Sequence, residues 1–202
     1  MANDTQFVRF LQQECSRLKD ENELLEEEIG ALRRYIRALE GFQATVQHFT
    51  PERDILDLLD ETMGYALDLL EANDGSLLLI DEESDELVFV LVHGAARQTL
   101  EGYRFDRELG IAGQVAQRAE PAIVNDVRGV SSFFPAVDER SGFVTHSLIA
   151  VPLMAQGRVL GVLEVLNKRS GDEFTEDDVN ALSVLATLVA LALDRADSVS
   201  AG

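Results

Sequence analysis

The sequence predicts an α+β fold, in which an antiparallel sheet carries helices on one face and is preceded by a parallel dimeric coiled-coil helix. Three observations support this prediction. Leucine recurs at every seventh position near the N-terminus, two pairs of apolar runs are each joined by a short turn, and long amphipathic segments flank these pairs. We therefore divide the chain into a coiled-coil helix over residues 6–46, a compact domain over residues 50–197 and a polar tail over residues 198–202.

The N-terminal segment contains successive heptads with apolar residues at the a and d positions. A repeat of this period buries its apolar stripe only against another helix, and leucine at every d position favours two parallel strands. Asn22 lies at a central a position, where paired amides fix the register of a dimer. The alternative is one amphipathic helix that packs on its own domain. The predicted seam consists of Leu11, Cys15, Leu18, Asn22, Leu25, Ile29, Leu32, Ile36 and Leu39.

The composition argues against several kinds of partner. The chain has 37 acidic and 17 basic residues and a formal net charge of -20. A field of this sign repels nucleic-acid phosphates and anionic lipid surfaces, so we expect neither partner. The sequence does not begin with a basic region followed by an apolar run, and the most apolar segment, 182–193, is shorter than the roughly 20 residues that span a bilayer. We therefore expect a cytoplasmic protein.

Cysteine and histidine usage gives little support to a metal or redox centre. Cys15 is the only cysteine, which excludes an intramolecular disulfide and a cysteine-based metal site. Its a position would allow an interchain disulfide on oxidation, although a reduced thiol in the seam is the simpler interpretation. His48, His93 and His146 lie on different predicted elements. With no glycine-rich phosphate loop, Ser-His-Asp set or kinase motif, we expect no catalytic residues and no metal site.

The first part of the compact domain is predicted to be a helix followed by a hairpin. Thr50 is a suitable N-cap and Pro51 suits the first helical position. The turn-forming residues 73–75 are expected to end this helix. Two apolar runs, over 76–80 and 87–92, flank an acidic turn and predict an antiparallel hairpin.

The rest of the domain is predicted to be an irregular crossover, a second hairpin and a closing helix. Apolar runs over 147–153 and 159–166 flank a Gln-Gly turn and predict that hairpin. Thr175 and Asp178 have the spacing of a capping box at the start of the closing helix. The crossover would cover the second face of the sheet. Its expected elements are a weak strand over 99–105, a short helix over 110–118, an extended stretch over 122–127 and a loop with a short helix over 128–143.

Several segments of this domain resemble the GAF domain family. Residues 108–116 read ELGIAGQVA, residues 145–153 read THSLIAVPL and residues 157–168 read GRVLGVLEVLNK, and each is similar to a motif of that family. The similarity covers about residues 50–197, so this part is identified as a GAF domain. The resemblance implies a GAF-like antiparallel sheet that holds a small molecule between the sheet and the irregular crossover.

One further pattern resembles GAF domains that bind cyclic nucleotides in phosphodiesterases and adenylyl cyclases. Asn167, Lys168, Phe174 and Asp178 match the family's N-K…F-x-x-x-D-E pattern, whereas Val179 stands in place of its final Glu. By similarity, Lys168 and Asp178 would form a structural salt bridge behind the pocket. A carboxylate near a helix N-terminus is favourable in any protein, so the pattern also has a purely structural interpretation. A cyclic nucleotide is the candidate ligand, and no other cofactor is expected.

The resemblance also implies which residues line the pocket. Glu164 draws attention because it interrupts an apolar strand, where a buried carboxylate requires a hydrogen-bonding partner; a solvent-facing Glu164 is the alternative. His146 stands where the family often has Arg or Lys, which would make a cationic contact pH-dependent. The predicted ligand-binding residues are Ser76, Leu78, Ile111, Asn125, Asp126, Phe133, Phe134, Asp138, Thr145, His146 and Glu164.

The function implied is that of a non-enzymatic, dimeric sensory protein in signal transduction. Redox-active and bilin-carrying GAF relatives use cysteines that this domain lacks. A bound small molecule would be relayed through the coiled coil and the helices at the dimer interface to a protein partner. One alternative is a GAF fold that serves as a dimerisation or protein-interaction scaffold without a ligand. Another is a piece of a longer kinase, cyclase or transcription regulator.

Overall fold

A computed structural model of the chain describes the backbone of residues 2–47 and 55–200, and the side chains of residues 9–26, 28–37, 39–41 and 55–196. Two long helices precede the sheet and one follows it. The elements in chain order are α1 (Ala2–Gln47), α2 (Ile55–Leu69), β1 (Ala72–Asp81), β2 (Glu86–His93), α3 (Arg97–Leu100), β3 (Arg104–Asp106), α4 (Gly110–Arg118), β4 (Ala122–Val124), α5 (Ala136–Ser141), β5 (Leu148–Ala155), β6 (Arg158–Lys168) and α6 (Glu176–Ser200).

The six strands form one antiparallel sheet in the order β3-β2-β1-β6-β5-β4. The predicted hairpins are β1–β2 and β5–β6, and the sheet joins them through the β1–β6 pair at its centre. Helices α2 and α6 pack on one face, and the crossover with α3, α4 and α5 covers the other. The predicted α+β architecture is therefore confirmed.

Strand alternation divides the interior into two apolar cores. On β6, Leu163 and Val165 face the core beneath α2 and α6, whereas Val162 faces the core beneath the crossover. This is the period of two that a strand buried on both faces requires. The second core lies directly beside the cavities described below. The sheet is thus the rigid floor on which any site under the crossover is built.

Helix α1 packs on α2 through its outer positions and leaves the predicted seam uncovered. A side chain at Gly41 would overlap the ring of Tyr65, and Arg34 Nη1 lies 2.9 Å from Glu71 Oε1. In contrast, the d-position residues Leu18, Leu25 and Leu32 are 51%, 50% and 62% exposed. The alternative of a helix that packs on its own domain is thus seen for the outer positions of α1 and not for its leucine stripe. The dimeric coiled coil stays a prediction.

Three predicted boundaries in the domain differ from the structure. Helix α2 ends at Leu69 rather than at 73–75, because Glu71 adopts a left-handed conformation (φ 53°) and strand β1 has already begun. The weak strand over 99–105 is instead the short helix α3 followed by β3. The stretch over 122–127 is extended only to Val124, because the Asp126 carboxylate accepts a hydrogen bond from Arg128 N and opens a 3-10 turn.

The remaining boundary predictions concern the C-terminal tail, the N-cap near residue 50 and the short helix of the crossover. Residues 198–200, predicted as part of a polar tail, continue α6, and residues 201–202 lie outside the described residues. The predicted N-cap Thr50 and Pro51 also lie outside them. The short helix over 110–118 coincides with α4.

The apolar character of α6 has a structural explanation. Between Glu176 and Ala196 this helix is long and apolar enough to cross a membrane by length and composition, and it is the one such helix among the described residues. Its buried side chains, which include Leu182, Leu185 and Val189, fill the core against the sheet. The core helix of a globular domain meets the same length and composition test, and Val184 and Leu191 are the large apolar side chains of this helix that stay exposed.

Candidate functional site

Two small adjoining cavities lie between the sheet and the crossover. Their volumes are about 50 Å³ and about 60 Å³. Both lie under α5 and over the central strands, which is where the resemblance placed a ligand. The side chains that line both cavities are Phe89, Val137, Asp138, Thr145, Glu164 and Leu166.

A hydrogen-bonded pair on neighbouring strands lies in the floor, where Glu164 lines both cavities and Ser76 lines the first. Glu164 on β6 lies directly opposite Ser76 on β1, and Ser76 Oγ donates a hydrogen bond of 3.1 Å to Glu164 Oε2. On its other side Glu164 is paired with Ala150 of β5, whose methyl group leaves the carboxyl room. Glu164 is only 8% exposed, so the solvent-facing alternative is wrong.

Burial changes the protonation chemistry of this floor. Removal of Glu164 from water raises its pKa to about 7, and the hydrogen bond from Ser76 opposes the rise only in part. The carboxyl therefore exchanges its proton near neutral pH. When protonated it offers both an O–H donor and an acceptor to a ligand, and when ionised it only accepts.

The roof of the cavities is the segment 128–143, which contains α5 and which we call the lid. Both carboxylate oxygens of Asp138 accept hydrogen bonds of 2.7 Å from Thr145, one from its backbone N–H and one from its hydroxyl. The ring of Phe134 lies 5.8 Å from that of Phe105. All residues of the lid are described, and none of their side chains is fully buried. Partly buried apolar side chains of the lid, such as Phe134 and Val137, pack against the core under the crossover, and together with the Asp138 hydrogen bonds they hold the lid in place.

The second cavity is bordered by the N-terminus of α4. Gly110, Ile111 and Ala112 form the first turn of that helix and line the cavity. The N-cap residue Leu109 makes no capping hydrogen bond through its side chain, and the first backbone N–H groups of a helix have no partner within it. Such a terminus attracts anions. The cavity therefore has carboxyl groups at one side and the first turn of a helix at another.

The residues of the cyclic-nucleotide pattern lie behind the cavities and do not line them. Lys168 Nζ lies 2.7 Å from Asp178 Oδ2, and the same oxygen accepts a hydrogen bond from Thr175 N. The Asn167 side chain accepts hydrogen bonds from His146 N and Ser147 N. These contacts connect the end of β6 to the start of α6 and to the residues that precede β5. These contacts agree with the interpretation that the pattern has a purely structural role.

The structure brings most of the predicted ligand-binding residues to the cavities. Leu78 is an exception, since it lies fully buried in the core next to them. Asn125 is directed elsewhere, because its amide exchanges two hydrogen bonds with the backbone of Phe174. The predicted residues that line one or both cavities are Ser76, Ile111, Phe133, Phe134, Asp138, Thr145 and Glu164.

Asp126 and His146 were predicted in the pocket and lie outside it. Asp126 is exposed and pairs with Arg128, whose guanidinium holds the pKa of that carboxyl below its usual range. His146 is exposed because alternation turns its neighbours Thr145 and Ser147 inward instead. A cationic, pH-dependent contact from His146 to a ligand is therefore not available in this arrangement.

Sequence reasoning missed several lining residues. Leu166 could have been predicted from the sequence, because it stands two positions after Glu164 on the same strand and therefore lies on the same face of the sheet. Phe89 and Val92 required knowledge of the β1–β2 register, which shifts between Leu77 and Leu78. The lining residues contributed by the crossover carried no signal of their own, and they include Ala96, Leu100, Val137, Ser141 and Phe143.

The fold and the cavity under a short-helix lid suit a sensory or interaction domain, and the family follows from comparison with known proteins. The GAF domain model matches residues 54–193, and the chain therefore belongs to the GAF domain family. Such domains sense small molecules or mediate interactions.

Two of the similar proteins are phosphodiesterases. The 3′,5′-cyclic phosphodiesterase pde-5 of Caenorhabditis elegans is 31% identical over 145 residues, which is 67% of this chain and 20% of that protein. The cone cGMP-specific 3′,5′-cyclic phosphodiesterase subunit alpha′ of Mus musculus is 38% identical over 89 residues, which is 44% of this chain and 10% of that protein. The chain thus spans a fifth or less of these relatives.

Solved structures share the fold at lower identity. The GAF domain of a phosphoenolpyruvate-protein phosphotransferase from Coxiella burnetii has a TM-score of 0.68 and 20% identity, and the match covers 83% of this chain and 99% of that one. The free methionine-R-sulfoxide reductase of Neisseria meningitidis has a TM-score of 0.66 and 24% identity, and the match covers 82% of this chain and 91% of that one. These likenesses concern the fold alone.

Proposed function

We propose that this chain is a non-enzymatic regulatory protein that binds a cyclic nucleotide between the sheet and the lid, and that works as a cytoplasmic homodimer joined along α1. The observation that carries the ligand proposal is the buried Ser76–Glu164 pair, which faces a cavity instead of a packed core. A polar pair in that position has unused hydrogen-bonding capacity that a ligand can satisfy.

The cavity chemistry suits a purine ring with an attached phosphate. Carboxyl groups of Glu164 and Asp138 can accept hydrogen bonds from ring N–H groups, and the lid supplies the ring of Phe134 for stacking. The phosphate would lie at the N-terminus of α4, since the described lining residues include no lysine or arginine. Similarity to the GAF region of a cGMP-specific phosphodiesterase subunit supports the same ligand class.

Removal of the Phe134 ring is expected to weaken cGMP binding by about fivefold, because one aromatic stack contributes on the order of 1 kcal/mol. The measurement is isothermal titration of purified Phe134→Ala protein with cGMP, with cAMP as the second ligand. Val144→Ala is the matched control, because Val144 follows the lid and is 60% exposed without lining either cavity. Binding that is equal in both variants contradicts the proposed position of the ring.

The scaffold alternative has one observation in its favour. The cavities of about 50 and 60 Å³ are well below the several hundred Å³ that a ligand of this size occupies. The lid must therefore open before a nucleotide enters. If unmodified protein binds neither cGMP nor cAMP at millimolar concentration, and native mass spectrometry detects no copurified small molecule, the scaffold function replaces the ligand proposal.

The dimer proposal is supported by how α1 meets its own domain. The helix uses outer heptad positions for that contact, which leaves a stripe of exposed leucine and isoleucine at the a and d positions. A stripe of this period is typical of a coiled-coil seam. The exposed side chains Val184 and Leu191 on α6 offer a second apolar surface that the dimer would cover. A protein partner would then receive the signal from the paired helices.

Ligand binding is expected to change the spacing of the paired α1 helices near the domain. A ligand shifts such an equilibrium only by its different affinity for the two states. Spin labels at Glu40→Cys in a Cys15→Ser background are expected to change their interchain distance when cGMP saturates the protein. Labels at Ser16→Cys, far along the same helix, serve for comparison. An unchanged distance at position 40 under saturation contradicts the relay.

A further inference from the structure

We propose that a second ligand site lies in a cleft between α1 and the domain, and that it binds a small phosphate monoester. The cleft has a volume of about 450 Å³ and is lined by Arg34, Arg37, Tyr65, Asp68, Leu69 and Arg169. We call it the arginine cleft. It lies on the α2 and α6 side of the sheet, apart from the cavities under the lid, and is independent of the ligand proposed there.

Three guanidinium groups from distant parts of the chain converge on this cleft. Arg34 and Arg37 belong to α1, whereas Arg169 follows β6. In a chain with 37 acidic and 17 basic residues, such a convergence contrasts with the surrounding surface. Planar guanidinium groups match phosphate oxygens in pairs of hydrogen bonds, which makes arginine the common residue in phosphate sites.

Part of this donor capacity has no partner in the described structure. Arg34 Nε is buried and makes no hydrogen bond, although Nη1 of the same side chain pairs with Glu71. Arg37 donates one hydrogen bond to Arg33 O, and no described carboxylate lies within ion-pair distance of Arg37 or Arg169. The exposed guanidinium groups of Arg37 and Arg169 therefore offer N–H donors that an anion in the cleft can reach.

The other lining groups limit the charge and shape of the ligand. Asp68 in the lining, and Glu71 outside it through its ion pair with Arg34, offset two of the three positive charges, which favours an anion of one or two charges over a polyphosphate. Tyr65 and Leu69 provide an apolar wall for an organic group attached to the phosphate. The volume is in the range of small-molecule sites. These features together define a phosphate monoester.

The site also has a consequence for the joint between α1 and the domain. Arg34 and Arg37 occupy outer heptad positions f and b, so the cleft opens away from the proposed seam. An anion that contacts both Arg37 and Arg169 would link α1 to the segment between β6 and α6. Occupancy would therefore hold the helix against its own domain without entering the pocket under the lid.

Isothermal titration with phenyl phosphate tests this site, with phenol and inorganic phosphate as the two partial ligands. Arg37→Gln and Arg169→Gln are each expected to weaken phenyl phosphate binding at least about tenfold, because each removes a charged hydrogen bond to the phosphate. Arg118→Gln is the matched control, since Arg118 is exposed at the end of α4 and does not line the cleft. Binding is also expected to slow amide exchange over residues 31–41.

Three results would overturn the proposal. The first is an absence of phenyl phosphate binding to the unmodified protein at low ionic strength. The second is an equal loss in Arg118→Gln and the two cleft variants, which indicates general charge attraction. The third is binding that survives both cleft substitutions and is lost in Phe134→Ala, which assigns phenyl phosphate to the lid cavity. None of these results depends on whether cGMP binds under the lid.

Discussion

Substitution of Glu164 by Gln is expected to remove a decline in stability of about 3 kcal/mol that the unmodified protein shows between about pH 4.5 and pH 7. The folded-state pKa is about 7, against 4.5 for an unburied glutamic acid. A difference of about 2.5 units corresponds to roughly 3 kcal/mol. Because the raised pKa means that the folded state holds the proton more tightly, folding is unpenalised below pH 4.5 and fully penalised above pH 7.

Urea denaturation at several pH values between 5 and 8 measures this effect as the difference between the variant and the unmodified protein. The Gln side chain keeps an acceptor for the Ser76 hydroxyl and carries no charge, so the difference should grow in favour of the variant as pH rises. Glu120→Gln is the control, since Glu120 is exposed and outside the cavities. Parallel stability curves for Glu164→Gln and the unmodified protein would show that the carboxyl is not desolvated.

Introduction of a charge into the α1 seam is expected to weaken dimerisation at least about a hundredfold. In the proposed coiled coil, Leu25 is buried at a d position in both copies, and each buried leucine lost from a core costs about 2 kcal/mol or more. Leu25→Glu also places two carboxylates beside each other on the dimer axis. Sedimentation equilibrium over a range of protein concentrations gives the dissociation constant.

The adjacent residue provides a matched control for this seam variant. Leu24 lies at an outer c position and is 62% exposed, which is at least as much as Leu25 at 50%. Leu24→Glu introduces the same charge one position away and is expected to leave the dissociation constant nearly unchanged. Equal weakening by both variants would mean that net charge, and not a seam, governs association.

Much of the fold could be predicted because local patterns determine it. The apolar runs and their turns specified both hairpins, and the heptads specified α1. The alternation of apolar residues around Glu164 similarly marked a strand with one polar position on a buried face. Prediction was less successful where a single backbone conformation decided the outcome. The left-handed Glu71, which ends the turn after α2, has no sequence pattern that demands it.

The site was predictable only where neighbouring residues alternate regularly. Thr145 and Glu164 reached the cavity because strand or near-strand alternation fixes their direction, and the same alternation carried His146 to the surface. Asn125 was misassigned because its partner is the backbone of Phe174, which is distant in sequence. The arginine cleft was not foreseen at all, since Arg34 and Arg169 are far apart along the chain and meet only when α1 lies on α2.

We propose that two copies of this GAF protein associate along the exposed leucine stripe of α1. Light scattering coupled to size-exclusion chromatography at low micromolar concentration measures this association directly. We expect a single species of twice the chain mass of 22.3 kDa. A species of 22.3 kDa at that concentration would contradict it.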